Sequence, residues 1–200
     1  MSLTIPNLLS LLRMALVPVF IIAVRYGEPK KALLIFLAAG ITDALDGFIA
    51  RIAKQQSLLG TYLDPIADKL LLTSAWVVLA IPNLAQSAPV PLWVTILVIS
   101  RDLLIVIVAL VLYLALGVRK FPPTVISKVT TVVQVTTVVV VLIAGIAAKE
   151  TARLAVALDF LADFFIYLTA ALTLASGLYY VYRSSSLVGD KDRPVEPAEE

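Results

Sequence analysis

Two residue types are missing outright from this 200-residue sequence, which contains neither cysteine nor histidine. Without cysteine there can be no disulfide, no thiolate metal site and no thiol nucleophile. Without histidine, imidazole bases, imidazole zinc ligands and Ser-His-Asp triads are excluded. Charge is scarce too: 15% of residues are charged and 60% are hydrophobic, whereas a soluble domain carries about 25% charged residues. So little polar surface points to lipid as the solvent for most of the chain. The net charge of +2 is too small to suggest a nucleic-acid partner. What remains for chemistry is carboxylates, lysine, arginine, hydroxyls and a hard metal ion.

A helix needs about 20 mostly apolar residues to cross the hydrocarbon layer. Six stretches qualify, at 7–25, 31–51, 63–82, 90–116, 124–147 and 156–182. Turn chemistry separates them: Gly27 and Pro29, Gly60, Pro82 with Asn83, Pro89 and Pro91, then Gly117 with Pro122 and Pro123. The fifth stretch is rich in Val, Ile and Thr, which favour strands in water. In lipid the backbone must satisfy its own hydrogen bonds, so helix is expected there as well. The expected fold is therefore all-α, a polytopic membrane protein with six transmembrane helices in one domain over residues 1–182. A polar tail over 183–200 is expected to be disordered. The first stretch lacks a basic leader and a small-residue cleavage site, and Arg13 interrupts it, so it does not read as a signal peptide.

Six spans put both termini on one side. That side would hold Arg51, Lys54, Arg119, Lys120, Lys128, Arg183, Lys191 and Arg193, against Arg25, Lys30, Lys31, Lys149 and Arg153 on the other. Basic residues favour the cytoplasm, so both termini are expected inside.

Charges within spans mark functional sites by default. Asp43 and Asp46 lie three apart near the end of the second stretch, and Asp64 and Asp68 four apart at the start of the third, so each pair shares a helix face. The short link between the stretches brings all four to one depth. Such a group cannot stay ionised without cations. Arg13 and Arg101 offer some compensation, and two divalent ions would balance four carboxylates. Oxygen-only ligands suit Mg²⁺ or Mn²⁺, and a metal pair is an arrangement suited to displacement at phosphorus. Gly47 and Ala50 leave room for a bulky ligand against the backbone, Arg51 can fork onto a phosphate, and Pro65 suits a helix's first turn.

The run Asp43-Ala-Leu-Asp46-Gly47-Phe-Ile-Ala50-Arg51, followed after eight residues by Gly60 and then by Asp64 and Asp68, resembles the pattern D-x2-D-G-x2-A-R-x8-G-x3-D-x3-D of the CDP-alcohol phosphotransferases, without a gap. The opening Thr4-Ile-Pro6-Asn7 through Arg13, the run Ile99-Ser-Arg101-Asp102, and Ile126-Ser-Lys128 through Gln134 are similar to phosphatidylglycerophosphate synthases and eukaryotic-type cardiolipin synthases. The resemblance implies six transmembrane helices and transfer of a phosphatidyl group from CDP-diacylglycerol to an alcohol, releasing CMP. It implies that Asp43, Asp46 and Asp64 hold two metal ions, with Asp68 completing the site as general base. Gly47, Ala50, Arg51 and Gly60 would line the CDP pocket, and Arg13, Arg101 and Lys128 are candidates for the acceptor phosphate. A homodimer in a bacterial cell membrane, its site towards the cytoplasm, is implied as well.

Glycerol 3-phosphate is the acceptor expected first, with phosphatidylglycerol, the cardiolipin synthase acceptor, as the rival. A divalent-cation or proton transporter is the alternative of another class, although neither paired repeats nor broken helices are present to favour it. Plainer roles compete at individual positions. Arg101 and Asp102 could form a local ion pair, Lys128 could snorkel to the interface, and Asp159 and Asp163 read as solvated charges at a helix start. Trp76, Trp93, Tyr179, Tyr180 and Tyr182 read as interfacial anchors, and the Val and Thr of the fifth stretch as lipid-facing and packing residues.

Overall fold

The computed structural model describes residues 5–53, 58–82, 90–116, 124–150 and 152–189. At residues 44–53 and 58–68 it describes the backbone, with Ala67 as the one described side chain. Among the described residues six helices follow one another: α1 Ile5–Arg25, α2 Pro29–Ala53, α3 Leu58–Ala80, α4 Leu92–Leu116, α5 Val125–Ala147 and α6 Ala152–Gly189. No strand occurs among the described residues. Among the described residues three helices carry a stretch long and apolar enough to cross a membrane: Leu8–Arg25, Val125–Ala147 and Arg153–Ser184.

The helix ends follow from local chemistry. At the end of α1, Gly27 takes φ 65°, a left-handed conformation that glycine adopts without strain. The Glu28 amide then donates to the Ala23 carbonyl and the Gly27 amide to that of Val24, both at 2.9 Å, closing the helix as a Schellman turn. Pro29 opens α2, where its missing amide costs nothing. Thr124, after Pro122 and Pro123, caps α5 by accepting from the Ser127 amide at 3.2 Å. Two boundaries differ from the sequence expectation. Leu58 and Leu59 extend the apolar run of α3, so Gly60 falls in its first turn and Pro65 lies inside the helix, where bundle neighbours can satisfy the freed carbonyl. Likewise α6 begins at Ala152 and reaches Gly189. It therefore includes 183–189 of the expected tail, while 190–200 lie outside the described residues. Asp159 and Asp163 stand beyond its first turn, where the helix dipole no longer reaches them.

Helix α1 packs on α2 and α3, and α6 on α4 and α5; α2–α5 and α3–α4 contacts join the two groups. The core centres on Phe20, Phe36, Trp76, Val94, Val138 and Val141, with the Phe20 and Phe36 rings 5.9 Å apart. Trp76 is 1% exposed and Tyr180 3%, so both are core residues and not interfacial anchors. Their neighbours on adjoining helices enclose them. Trp93 is half exposed and pairs with Tyr167 at a ring separation of 6.3 Å, as an anchor would. At one end of the bundle the α1–α2 and α5–α6 turns are clasped. Lys149 Nζ donates to the Gly27 carbonyl, and Lys30 pairs with Glu150.

The threonines of α5 divide by face. Thr130, Gln134 and Thr137 are buried, opposite buried Thr169, Thr173 and Ser176 of α6. Thr137 Oγ1 lies 2.7 Å from Thr169 Oγ1, 2.8 Å from its own helix's Val133 carbonyl and 3.2 Å from the Phe165 carbonyl of α6. Val125, Val129, Val132 and Val135 face outwards. The valines suit lipid, and the buried hydroxyls bind helix to helix where water cannot compete. Such interhelical bonds contribute about 0.6 kcal/mol each on average. Thr137→Val should therefore lower the unfolding free energy in mixed micelles by roughly 1 kcal/mol. Thr131→Val should leave it unchanged, since exposed Thr131 bonds only the Ser127 carbonyl of its own helix.

Candidate active site

The aspartate motif spans the end of α2 and the start of α3. On α2 the buried positions Ala32, Phe36 and Ala39 lead to Asp43. Continuing that stripe at 3.6 residues per turn reaches positions 46, 47 and 50. On α3 the buried stripe of Ala67, Leu71, Ala75 and Val78, followed towards the start of the helix, runs through position 60. It includes position 64, with position 68 on its flank. Helices α2 and α3 touch each other, and α1 touches both. The side chains of Asp46, Gly47, Ala50, Arg51, Gly60, Asp64 and Asp68 lie outside the described residues.

Asp43 is described in full. Arg13 of α1 reaches it, Nη1 to Oδ1, at 2.7 Å. Arg13 is 1% exposed and Asp43 45%, so the guanidinium is enclosed while the carboxylate stays open on one side. A buried arginine of this kind fixes the acid's rotamer and offsets its charge.

Arg101 of α4 is also buried, at 7% exposure. Its Nη1 donates to Asp102 Oδ1 at 2.8 Å, and Nη2 donates to Ser127 Oγ of α5 at 2.6 Å and to Ser176 Oγ of α6 at 2.7 Å. One guanidinium thereby ties three helices. Asp102 also lies 3.5 Å from Lys69 of α3, the residue after Asp68, so Lys69, Asp102 and Arg101 link the acid-bearing helix to α4, α5 and α6. Lys128, in the first turn of α5, is exposed. Sequence reasoning singled out Arg101 and weighed its local ion pair with Asp102, which is present, but missed Ser176 and the contact of Asp102 with Lys69. The available signals were a lone serine in the apolar run of α6 and an acid beside an arginine in the apolar run of α4.

The donor set suits a hard divalent cation, because it offers carboxylate oxygen and neither sulfur nor imidazole. Asp43 leaves one side of its carboxylate accessible. Among the described residues no three acidic, histidine or cysteine side chains converge, three of the four motif aspartates being outside that set.

Arg101→Leu should lower stability by about 3 kcal/mol, because two serines lose their donor and Asp102 keeps only Lys69. Lys128→Gln should change it by less than about 0.5 kcal/mol. Chemical unfolding of the two variants in detergent separates them.

Residues 3–175 match the family described as CDP-alcohol phosphatidyltransferase. Among curated proteins the chain is similar to a cardiolipin synthase (CMP-forming) of Rattus norvegicus, 43% identical over 147 residues, covering 66% of this chain and 47% of the relative. It is similar to a probable phosphatidylglycerophosphate synthase of Mycobacterium tuberculosis, 40% identical over 103 residues, covering 48% of this chain and 47% of the relative. A CDP-diacylglycerol–glycerol-3-phosphate 3-phosphatidyltransferase of Haemophilus influenzae is 37% identical over 108 residues, covering 52% of this chain and 57% of the relative. The chain spans about half the length of the curated relatives it matches. The family match takes in every position of the aspartate motif and α1 through most of α6; this chain belongs to the CDP-alcohol phosphatidyltransferase family.

Proposed function

We propose that the chain transfers a phosphatidyl group from CDP-diacylglycerol to a primary hydroxyl of a glycerol phosphate ester, releasing CMP. The observation that supports this reading is Asp43, the first aspartate of the motif, held by buried Arg13 at 2.7 Å with its carboxylate open on one side, in a chain whose family match spans the whole motif. Glycerol 3-phosphate is the acceptor that the sequence places first and phosphatidylglycerol the second. Both present the same glycerol carbons beside a phosphate.

In this mechanism Gly47, Ala50, Arg51 and Gly60 border the cytidine diphosphate. Gly47 and Ala50 keep the α2 backbone approachable, and Arg51 pairs with a phosphate oxygen. Asp43, Asp46, Asp64 and Asp68 would hold two Mg²⁺ ions, which when bound neutralise the pyrophosphate and stabilise charge on departing CMP. Arg13, enclosed against Asp43, keeps that carboxylate oriented; this role fits its burial better than contact with the acceptor. Asp68 receives the proton of the acceptor hydroxyl. The new P–O bond forms at the lipid-bearing phosphorus as the P–O bond to CMP breaks. Lys128, exposed at the start of α5, supplies a cation for the acceptor phosphate.

Six spans with both termini in the cytoplasm complete the proposal. They place the aspartates at the inner leaflet, where CDP-lipid and a soluble phosphate can meet. Three long apolar helices and the excess of basic residues on that side support it.

Purified protein in detergent, given CDP-diacylglycerol and Mg²⁺ with glycerol 3-phosphate and phosphatidylglycerol side by side, should release CMP and form one identifiable lipid. Asp68→Asn should slow CMP release by about 10²–10⁴-fold while circular dichroism stays that of the wild type; full activity would reject the base assignment. Chelation with EDTA should abolish CMP release and added Mg²⁺ restore it. Ion flux in liposomes without CMP release would favour a transporter.

A further inference from the structure

Helices α2 and α3 carry two aspartates of the motif each, yet among the described residues they meet only lightly, each packing chiefly on α1. We propose that Lys69 and Asp102 are positioning residues for the metal site: their ion pair, made from α4, holds the acid-bearing part of α3 so that its two aspartates stand ready for a divalent cation. This rests on the metal-dependent part of the phosphatidyltransferase reading and adds to it two residues that act through α3.

Three observations carry the proposal. The first is where the pair stands. Lys69 directly follows Asp68 on α3, and its Nζ lies 3.5 Å from Asp102 Oδ2 of α4. The other carboxylate oxygen, Oδ1, accepts from Arg101 Nη1 at 2.8 Å, and Arg101 in turn donates to Ser127 of α5 and Ser176 of α6. Asp102 is thus fixed to α4, α5 and α6, and through Lys69 that group holds α3 beside Asp68. On the other helix, Arg13 of α1 holds Asp43. Each aspartate pair therefore has its own brace, from a different helix.

The second is that solvation does not require the pair. Lys69 is 50% exposed, enough for its ammonium to reach water on its own. Asp102 already has a full counter-charge in Arg101. What the pair adds is a fixed distance between α3 and α4.

The third is the light packing of α2 on α3. Carboxylates gathered on two such helices repel one another until cations arrive. Repulsion favours arrangements in which the acids stand apart, and a cation binds the arrangement in which they stand together. Apparent affinity then scales with the fraction of molecules already in that arrangement. A brace on α3 raises that fraction. Coulomb's law by itself demands the opposite, because an ammonium beside a metal site repels the metal. The sign of the effect at Lys69 therefore separates bracing from mere charge.

The test measures Mn²⁺ binding to the intact protein in detergent, without substrates, from the electron paramagnetic resonance signal of free Mn²⁺. Lys69→Gln, at a half-exposed position where folding is undisturbed, should raise the Mn²⁺ Kd about fivefold, the full worth of a partly exposed ion pair. Asp102→Asn keeps an oxygen for Arg101 but loses the charge that holds Lys69, and should do the same. The double variant should bind no more weakly than either single one, and Lys69→Arg should bind as wild type. Lys31→Gln removes the same charge at the far end of α2, where Lys31 pairs with Glu28, and should change nothing. In CMP release, both single variants should need more Mg²⁺ and regain the wild-type rate once it is saturating. An unchanged or lower Kd in Lys69→Gln would overturn the brace, as would losses that multiply in the double variant. So would slow CMP release at saturating Mg²⁺ with normal Mn²⁺ binding, which would bring Lys69 to the substrate. Wild type that binds Mn²⁺, with these responses in the variants, but releases no CMP would overturn the phosphatidyltransferase reading and leave the brace standing. Wild type that binds no Mn²⁺ would overturn the metal site and the brace together.

Discussion

Charged side chains carried into an apolar bundle must find their counter-charges on neighbouring helices, because no water is there to solvate them. Placing one Arg, Lys or Asp at the centre of a membrane helix costs about 2.5–3.5 kcal/mol on insertion scales, several times what one interhelical hydroxyl bond returns. Arg13 with Asp43, and Lys69 with Asp102 and Arg101, meet this constraint here. The Arg13–Asp43 and Lys69–Asp102 links cross from one helix to another, and Arg101–Asp102 lies within α4. The cost of unpaired charge therefore fixes which helices adjoin and in which rotation, and the site inherits that rotation.

The same partners bear on the chemistry. The carboxylate at Asp43 is held by a guanidinium from α1 on one side and stays open on the other, so a site built on it begins with an oriented acid. Arg101 is saturated on both terminal nitrogens by groups of its own chain. It acts as a three-helix tie. Lys128, with no such enclosure, is the cation left accessible among the three basic residues that the sequence nominates. Burial is what separates these roles.

Most of the architecture could be read directly. A sequence poor in charge, punctuated by glycine and proline, has few ways to satisfy its backbone in lipid, and the six helices fall within a few residues of the six apolar stretches. Even α5, whose Val and Thr favour strands in water, is helical from Val125 to Ala147. The misses share one cause. The burial of Trp76 and Tyr180 and the division of the α5 threonines into lipid-facing and α6-facing sets depend on the rotation of helices against one another. Hydrophobicity alone hardly reports that rotation when both faces of a helix are apolar. The longer α6 was missed because a helix can continue past its last apolar turn.

The aspartate motif was legible for a different reason: fixed spacing on a helix sets relative direction before any tertiary contact exists. Composition, the helices, motif spacing and the family likeness were thus settled by the order of residues alone. Only the packed bundle decided that Arg13 lies under Asp43, that Asp102 is shared by Lys69 and Arg101, and that Ser127 and Ser176 meet on one guanidinium. Those partners come from helices up to 75 residues apart in the chain. Which of several chemically suitable groups meets a buried charge is settled by helix rotation and depth, quantities that local sequence does not contain.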